Sequence, residues 1–405
     1  MPDQTPRPGE KPGAAPDPAQ EAFEQCTRLV LAGRYEEALA ATDEAARLLR
    51  GRLAGARGTA ARGAAATLAY VLVLRCEALS KLARWEECLA TASEAVALGR
   101  GRQTDAPFAA PLGATLLGLG TALWGLGRPQ EAVTVTGEAV GLYRRLAHAD
   151  AAYRPQLANA LSQFGVVLSR LGRYAEALKV TRESVVLMRR LAAADPVTHT
   201  PGLAQAVNNL ARRQSARNQH RRALRSAHEA VALYRRLARA NPAVHRRDLA
   251  MGLGNLARMH DTRQGALAAV EESVAILEEL DRAEPGVHGA LLADSLSLLA
   301  AALADLGRFG EAARVTTRAL AMMREQAALN PVARRGDLAL ALAFHARVRA
   351  EAGTDLAEAL AAATESLGLM RGLAAEIPRL YGSPLAEVTA LEARLRSMAG
   401  PPERG

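Results

Sequence analysis

Apolar residues recur along the chain at intervals of three and four, and short polar breaks separate one apolar stretch from the next. Leu157, Leu161, Phe164 and Leu168 follow this spacing in one stretch, and Ala177 opens the same pattern in the following one. Such spacing places the apolar residues on one face of a helix. The pattern repeats every 43 to 50 residues. It therefore predicts eight units, each made of two amphipathic helices.

A short phrase marks the break between the two helices of a unit. Its clearest copy, residues 171–178, reads Leu-Gly-Arg-Tyr-Ala-Glu-Ala-Leu. The glycine of this phrase, or the residue in its place, sets the phase of all eight units: Gly33, Ala83, Gly127, Gly172, Asn218, Asp261, Gly307 and Gly353. Glycine tolerates the left-handed conformation that follows a helix end, so each first helix is predicted to end there. An acid or amide before proline, as in Asp195-Pro196, closes most second helices.

Each unit also carries two small residues, one in each helix. In the first helices these are Cys26, Cys76, Gly120, Gly165, Ala211, Ala257, Ala300 and Ala346. In the second helices they are Ala38, Cys88, Ala132, Ala177, Ala223, Ala266, Ala312 and Ala359. The distance between packed helices depends on the side chains at their contact. We therefore expect each pair of small residues to face each other where the two helices approach closely.

These residues resemble the tetratricopeptide repeat family, whose first helix carries an amide, a large apolar residue and a small residue in succession. Asn209-Leu210-Ala211 and Asn255-Leu256-Ala257 match this pattern, and Gln163-Phe164-Gly165 matches it more loosely. The resemblance covers the whole length and implies an all-α fold, a right-handed α-solenoid of antiparallel helix pairs. The usual period is 34 residues. The longer period of about 45 residues is similar to the long-period bacterial and actinobacterial type.

The ends of the chain differ from the repeats. Residues 1–17 are rich in proline and poor in apolar residues, which predicts a disordered tail. Asp17-Pro18 is a typical helix start, and the eight repeats are predicted to fill residues 18–382. A lone helix over residues 383–398, opened by Ser383-Pro384, is expected to cap the array, and residues 399–405 form a second tail.

Composition excludes several classes of protein. Three cysteines in 405 residues exclude a disulfide framework, and Cys76 and Cys88 are interpreted as small core residues rather than as a redox or metal pair. The chain opens without a signal-peptide pattern and contains no continuous run of 18 apolar residues. We therefore expect a cytoplasmic protein without a membrane partner.

Motifs for enzymatic chemistry are absent from the sequence. A phosphate-binding loop needs a lysine after glycine, and Lys11, Lys81 and Lys179 all follow other residues. His228-Glu229 has Ala232 where a zinc protease has its second histidine. No serine lies in a nucleophile elbow. We therefore predict that the protein is not an enzyme, with no catalytic residues, no metal site and no cofactor.

Charge is concentrated in the middle of the chain, although the net charge is only +9. Residues 211–247 contain eleven arginines and one acid, and residues 261–284 contain seven acids and two arginines. One interpretation is charge complementarity between neighbouring repeats, where each exposed pair contributes about 0 to 1 kcal/mol. The other is a binding surface for an acidic peptide, a phosphate group or nucleic acid. Nucleic acid is disfavoured because Tyr234 is the one aromatic residue of the basic segment.

Paired arginines recur at one phase of the repeat, near the end of the second helix, as in Arg144-Arg145, Arg189-Arg190 and Arg235-Arg236. A positive charge near a helix C-terminus interacts favourably with the helix dipole. These pairs are therefore explained by a structural role without any ligand.

The family resemblance also implies that first helices line a concave groove. The residues that match groove-facing positions are Asn159, Ser162, Arg170, Gln205, Asn208, Arg212, Arg258, Asp294 and Ser297. Arginine can hold a carboxylate through two parallel hydrogen bonds, and amides can bond to a peptide backbone. The alternative interpretation is that these residues are simply hydrophilic surface positions.

Two functions remain open from the sequence. The first is an interaction scaffold or adaptor that binds a partner protein or peptide in the groove, within bacterial signalling or regulation. The alternative is a regulatory receptor for an acidic small ligand, a phosphate-bearing partner or nucleic acid at the arginine-rich central repeats. A homo-oligomer is compatible with both. The two differ in their response to salt, because phosphate binding weakens steeply as ionic strength rises.

Overall fold

A computed structural model describes residues 17–100, 106–329, 331–376 and 378–399. No strand occurs among these residues, and almost all of them are helical. Asp17 begins the first helix as predicted, because its Oδ1 accepts a hydrogen bond from the Ala19 amide at 3.0 Å. The predicted tails, apart from Asp17 and Ala399, lie outside the described residues.

The helices in the first half of the chain are α1 (Pro18–Leu31), α2 (Tyr35–Gly55), α3 (Gly58–Lys81), α4 (Trp85–Gly99), α5 (Ala106–Gly125), α6 (Pro129–Ala149), α7 (Arg154–Arg170) and α8 (Tyr174–Ala194). They continue as α9 (Pro196–Ser215), α10 (His220–Ala240), α11 (Pro242–Met259), α12 (Arg263–Ala283), α13 (Gly289–Asp305), α14 (Phe309–Leu329), α15 (Pro331–Ala352), α16 (Leu356–Glu376) and α17 (Pro378–Ala399). A short 3-10 helix, Ala151–Tyr153, precedes α7. We number the successive helix pairs as repeats 1 to 8, from α1–α2 to α15–α16.

The described residues form two compact units that divide at Pro196. The first unit holds repeats 1 to 4, and the second holds repeats 5 to 8 and α17. Helices that follow each other in the chain pack together, as α5 does with α6 in the first unit and α13 with α14 in the second. Short turns join them, so the partners run antiparallel. The predicted all-α fold of stacked helix pairs is confirmed.

Left-handed residues end the first helices at seven of the eight predicted positions. Gly33, Gly127, Gly172, Gly307 and Gly353 have φ between 65° and 75°, and Ala83 and Asn218 have φ of 56° and 55°. Asp261 is the exception, and the prediction was wrong there. Helix α11 ends at Met259, and His260 follows in an extended conformation with φ −66° and ψ 137°. The connection is shorter in this repeat: Ala266 follows Ala257 by nine positions, whereas the equivalent small residues of the other repeats are at least twelve positions apart.

An ion pair closes the turn in repeats 1 to 4 and in repeat 7. In repeat 4, Arg173 donates to Glu176 from Nε at 2.7 Å and from Nη2 at 2.6 Å. The equivalent pairs are Arg34–Glu37, Arg84–Glu87, Arg128–Glu131 and Arg308–Glu311. We call this pair the turn clasp. It explains the recurring Gly-Arg-x-x-Glu phrase, because its carboxylate lies in the first turn of the second helix, where the helix dipole favours negative charge.

The small residues lie in the core as expected, except in repeat 6. Fourteen of the sixteen are buried, whereas Ala257 and Ala266 are only half-buried. The two helices approach closely at Gly165, where an added Cβ would lie 2.5 Å from Thr181 Oγ1 and 3.4 Å from the Ala177 carbonyl oxygen. The helices of repeat 6 nevertheless pack in the same register as those of repeat 4, because Ser273 Oγ donates to the Ala250 carbonyl oxygen at 2.8 Å as Ser184 Oγ does to that of Ala158 at 2.7 Å. The two alanines lie beside the shortened connection, where less of the chain covers them.

The three cysteines are buried and free, in agreement with their interpretation as small core residues. Cys76 Sγ lies 3.8 Å from the Cys88 carbonyl oxygen, and Cys88 Sγ lies 3.5 Å from the Cys76 carbonyl oxygen. Burial raises the pKa of Cys26 to about 11, so this thiol stays protonated at neutral pH. These contacts are those of thiols that fill small spaces between helices.

Ion pairs also connect second helices of neighbouring repeats. Arg144 of α6 donates to Glu183 of α8 at 2.6 Å, and Arg235 of α10 pairs with Glu272 of α12. Arg50–Glu94 and Arg324–Glu365 make the same connection in repeats 1–2 and 7–8. Arg246 of α11 pairs with Glu279 of α12. The charge complementarity expected between the basic and acidic segments is therefore present, in the pairs Arg235–Glu272 and Arg246–Glu279.

Helix α17 packs on the last repeat. Val388 and Leu395 are buried against α15 and α16, whereas Arg394 and Arg396 are exposed. The helix begins at Pro378 rather than at Ser383, so the predicted start was wrong. Pro384 lies inside the helix, as Pro111 and Pro201 do in the second turns of α5 and α9. Each of these prolines removes the hydrogen bond that a backbone N–H would make to the carbonyl four residues earlier, close to the helix start.

Two helices are long and apolar enough to be considered as membrane spans. They are α3 and the Pro107–Gly125 part of α5, each with a mean hydropathy of 1.3. Within the fold, 56% and 61% of these segments are buried, as is usual for the core helices of a globular protein. Their length and composition are therefore weak support for a membrane span.

Candidate functional site

Two adjoining cavities open on the second unit. The first, of about 270 Å³, lies between α11, α13, α14 and α15, and the second, of about 460 Å³, lies between α15, α16 and α17. Both are lined by Leu340 and Phe344 of α15. We call the two cavities together the α15 groove. Its walls come mainly from first helices of the repeats and from α17.

An apolar strip on α15 forms the floor shared by both cavities. One face of α15 is buried in the core through residues such as Leu342 and Ala346. Leu340, Phe344 and Arg347 follow each other at helical spacing on another face, and the Leu340 side chain is 45% exposed. The Arg347 guanidinium lies 5.2 Å from the Phe344 ring centroid, in cation–π contact. Sequence analysis missed these residues, although a second apolar strip beside the core-facing one was a signal that could have found them.

Arg258 lies at one end of the groove. Its Nη1 donates a long hydrogen bond of 3.5 Å to Asn255 Oδ1, which leaves its other donors available. Burial lowers the pKa of Arg258, the nearby Asp294 carboxylate raises it, and Arg212 lowers it. The guanidinium is thus partly stripped of water without a close carboxylate partner, so a ligand carboxylate would gain by binding to it.

Asp294 faces the same cavity from α13. Burial raises its pKa, and the other influences are Arg334, which lowers it, Asp337, which raises it, and Arg258, which lowers it. Arg334 Nη1 is bonded to Asp337 Oδ2 at 3.2 Å. Asp294 itself has no side-chain hydrogen bond or ion pair within the described part of the chain. A desolvated acceptor of this kind can bind a backbone N–H group or a cation of a ligand.

The other end of the groove carries charges of both signs. Arg394 of α17 donates from Nη1 to Glu351 Oε1 of α15 at 3.0 Å, and Ser383 Oγ donates to Glu387 Oε1 at 3.1 Å. Glu351, Glu387 and Arg394 line the second cavity. The groove therefore combines an apolar floor with polar groups at both ends, the combination typical of ligand sites.

The structure brings three of the nine predicted site residues together. Arg258, Asp294 and Ser297 line the first cavity, and Ser297 Oγ donates to the Ala293 carbonyl oxygen at 2.9 Å. Gln205 and Arg212 are exposed on α9. As ligand contacts, these residues remain predictions.

Ser162 and Asn208 are buried, with 8% and 3% of their surface exposed. Asn208 Oδ1 accepts a hydrogen bond from Asn255 Nδ2 at 3.1 Å, so this amide links α9 to α11 in the interior. Ser162 likewise points into the core of the first unit. Both side chains present little surface to a ligand, because the repeat pattern places a residue on a helix face without showing what packs against that face. As ligand contacts, these two residues stay predictions.

Asn159 and Arg170 belong to α7 in the first unit and are exposed. The Arg170 guanidinium lies 5.1 Å from the Trp124 ring centroid, so its cation already has an aromatic partner. No group of three or more histidine, cysteine, aspartate or glutamate side chains is placed to hold a metal ion among the described residues.

The family model for the tetratricopeptide repeat matches residues 157–196, which span α7 and α8. A search of curated proteins gave no significant match.

Several solved structures share this fold. The apo form of RapI aligns with a TM-score of 0.58 and 10% identity, over 95% of this chain and 98% of that one. A Rap protein complexed with Competence and Sporulation Factor aligns with a TM-score of 0.54 and 13% identity, over 94% and 100%. The apo quorum sensor NprR from B. thuringiensis aligns with a TM-score of 0.52 and 11% identity, over 93% and 98%. At such low identity these similarities show a common fold.

Proposed function

We propose that this chain, which is a tetratricopeptide-repeat protein, is a non-catalytic scaffold that binds an extended segment of a partner protein in the α15 groove. The observation that carries the proposal is the pair of cavities joined at Leu340 and Phe344. A single pocket would suit one small molecule. Two pockets in line, opening onto a common apolar floor, suit a chain that places one apolar side chain in each.

The charged groups define the ligand further. Arg258 provides a bidentate site for a carboxylate, and Asp294 beside it provides an acceptor for a backbone N–H group or a cation. The acidic residue of a peptide would therefore bind Arg258 and a backbone N–H group of the peptide would bind Asp294, while two apolar side chains occupy the cavities. Apolar burial would supply most of the affinity, at about 25 cal/mol per Å² removed from water, and the charges would set the direction of the chain.

The structural relatives support a role in regulation. One of them is a Rap protein in complex with Competence and Sporulation Factor, and another is described as a quorum sensor. We extend this to a cytoplasmic role in bacterial signalling, in which the described repeats recognise a partner and make or break no covalent bond.

A displayed library of random twelve-residue peptides tests the proposal. The library is selected on the wild-type chain and then on Leu340→Glu and Phe344→Ala, which change the exposed and the half-buried residue of the groove floor. Val186→Glu is the matched control, because Val186 of α8 is 49% exposed and lies in the other unit. We expect peptides with two apolar residues and an acid to be enriched on wild type and on the control, and to lose at least tenfold in affinity on both groove variants.

Circular dichroism of all four proteins checks that they fold alike. The proposal is wrong if no peptide is enriched on wild type, or if the enriched peptides bind Leu340→Glu and Phe344→Ala as tightly as they bind Val186→Glu. Arg258→Gln then separates the charged contact from the apolar one, because we expect it to weaken only those peptides that carry an acidic residue.

A further inference from the structure

Four arginines of α10 lie along one exposed face of the helix: Arg221, Arg225, Arg236 and Arg239. Separations of four, eleven and three residues keep them within a narrow sector around the helix axis. None of the four has a side-chain hydrogen bond or ion pair within the part of the chain that the structure describes. We call them the α10 arginine stripe. At a rise of 1.5 Å per residue, it is about 27 Å long.

The stripe differs from the arginines that hold the repeats together. Arg235 lies beside it and pairs with Glu272 of α12, as Arg144 pairs with Glu183 two repeats earlier. At this position of the repeat, Arg235 thus already makes the ion pair that links neighbouring second helices. The stripe arginines are additional to it. The helix dipole favours Arg236 and Arg239 near the C-terminus of α10, but neither the dipole nor packing between repeats explains Arg221 and Arg225.

The beginning of the stripe also opposes the local structure of the helix. Arg221 and Arg222 lie in the first turn of α10, which contains no acidic residue and has no side-chain cap. Positive charge is unfavourable at a helix N-terminus. In five other repeats the position of Arg222 carries the clasp glutamate: Glu37, Glu87, Glu131, Glu176 and Glu311. A feature that weakens local structure without a compensating contact is expected at a binding site.

We propose that the α10 arginine stripe is a docking surface for an acid-rich segment of a partner protein. Guanidinium groups bind carboxylates through paired, parallel hydrogen bonds, and this chain already uses that contact between its own helices. In the pair Arg144–Glu183, for example, Arg144 Nε lies 3.3 Å from Oε1 and Nη2 lies 2.6 Å from Oε2. A segment with carboxylates at helical or extended spacing would repeat such contacts along the stripe.

The surroundings of the stripe favour a narrow ligand. The Arg235–Glu272 pair holds the acidic helix α12 alongside α10, and Glu279, two turns further along the same face of α12, is exposed. A membrane surface or a nucleic-acid duplex is wider than one helix, so it would press its negative charge against these carboxylates. Single-stranded nucleic acid is disfavoured because Tyr234 of α10 is 2% exposed and cannot stack on a base. A single polypeptide segment avoids both problems.

The stripe is distinct from the α15 groove, because none of its residues lines either cavity. The inference therefore does not depend on the proposed function. The two surfaces also differ in chemistry, since the groove has an apolar floor and the stripe presents four cations, with Glu229 as the one acidic residue of α10. A partner could occupy either surface without the other.

Fluorescence anisotropy on the full chain tests the inference with three probes. The first is a labelled helical peptide of twenty residues with glutamates at i, i+4 spacing, the second a duplex DNA of 20 base pairs, and the third vesicles of phosphatidylserine and phosphatidylcholine. The stripe variant carries Arg221→Gln, Arg225→Gln, Arg236→Gln and Arg239→Gln. The control variant carries Arg28→Gln, Arg57→Gln, Arg190→Gln and Arg371→Gln, which removes the same charge from scattered exposed positions.

We expect the peptide to bind wild type and the control at 150 mM salt, and to lose about tenfold or more in affinity on the stripe variant. Equal losses on both variants would mean that only net charge matters, and the inference would be overturned. Tighter stripe-dependent binding of DNA or vesicles than of peptide would overturn it as well. Absence of peptide binding, with self-association that the stripe variant abolishes in sedimentation, would assign the surface to a second copy of this chain.

Discussion

Repeats 4 and 5 perform the same turn with different chemistry. Repeat 4 ends its first helix at Gly172 and closes the turn with the Arg173–Glu176 clasp. Repeat 5 ends its first helix at Asn218, in the same left-handed conformation, but has no clasp. The comparison separates two requirements. The backbone geometry of the turn is needed to stack the helices, whereas the clasp can be given up where the surface does something else.

The same contrast extends over the two units. All four repeats of the first unit carry the clasp, whereas in the second unit only repeat 7 carries it among the described residues. The stripe lies in repeat 5, and the α15 groove is built around repeats 6 to 8. Three of the four repeats that carry the candidate surfaces thus depart from the phrase, and repeat 7 keeps it. A departure of this kind is expected where function tolerates locally unfavourable choices.

The largest expected effect concerns the helix contact in the regular repeats. Gly165→Leu in repeat 4 would force a side chain into a space where even a Cβ meets Thr181 Oγ1 at 2.5 Å, and we expect a loss of about 2 to 3 kcal/mol in the free energy of unfolding. Ala257→Leu, at the half-buried position of repeat 6, should change it by less than about 0.5 kcal/mol. Urea unfolding followed by circular dichroism measures both. Similar losses in the two variants would show that repeat 6 packs like the others.

A second prediction uses pH to distinguish repeat 8 from the clasped repeats. In repeat 8, buried His345 contacts Thr316 Oγ1 at 2.9 Å and Glu358 Oε1 at 3.2 Å, and Arg349 pairs with Glu358 at 2.7 Å. Burial lowers the pKa of His345, Arg349 also lowers it, Glu358 raises it and Arg324 lowers it. The unfolded chain therefore binds a proton at higher pH than the folded protein. Stability should fall as pH drops below the unfolded value of about 6.5.

His345→Gln should remove this response. We expect the difference in unfolding free energy between wild type and variant to be constant above pH 7 and to shrink between pH 6.5 and 5, by up to about 1.4 kcal/mol per pH unit. A clasp behaves differently. The hydrogen bond from Arg173 lowers the pKa of Glu176 below its ordinary value of 4.5. The clasp therefore stabilises the fold fully above pH 4.5, and this stabilisation is lost as pH falls through the lowered pKa of the folded protein. A difference that does not vary with pH would contradict the assignment to His345.

The smallest expected effect comes from building a clasp into repeat 5. Gln219→Arg with Arg222→Glu restores the Arg-x-x-Glu spacing and puts an acid at the start of α10, which should stabilise the fold by about 0.5 kcal/mol. The same change places negative charge beside the stripe and should weaken binding of the acidic peptide. Urea unfolding and anisotropy measure the two effects on one protein. A rise in stability with unchanged peptide binding would contradict the idea that repeat 5 lacks the clasp because of the stripe.

The sequence predicts the periodic parts of this fold well, because helix spacing and turn residues are local properties. Left-handed residues occur at Gly172 and at six other predicted positions, and Asn218 and Ala83 were found only because the period required a turn there. The failures occur where the period itself changes. The shorter connection before α12 removes the left-handed turn expected at Asp261 and leaves Ala257 half-buried. A repeat phase taken from a single sequence does not reveal such a deletion.

The candidate site was predicted only in part. Arg258, Asp294 and Ser297 lie together because they share one helix phase in adjacent repeats, which the sequence can reveal. Leu340 and Phe344 were missed because an apolar residue on a helix normally indicates the core, and only the packing of α15 shows that this strip faces outward. The clasp is defined by arginines that pair with a glutamate, and the stripe by arginines that do not. Composition alone does not determine which arginines are paired.

Helix α17 has a consequence for kinetics. It covers the last repeat and at the same time forms a wall of the second cavity, through Val388, Leu391 and Arg394. The terminal elements of a repeat array open more readily than the interior. A ligand in the second cavity would bridge α15 to α17, so it could leave when α17 detaches as well as by sliding out. The lifetime of such a complex would then be set by the rate at which the end of the array frays, and bound ligand would slow amide hydrogen exchange in α17.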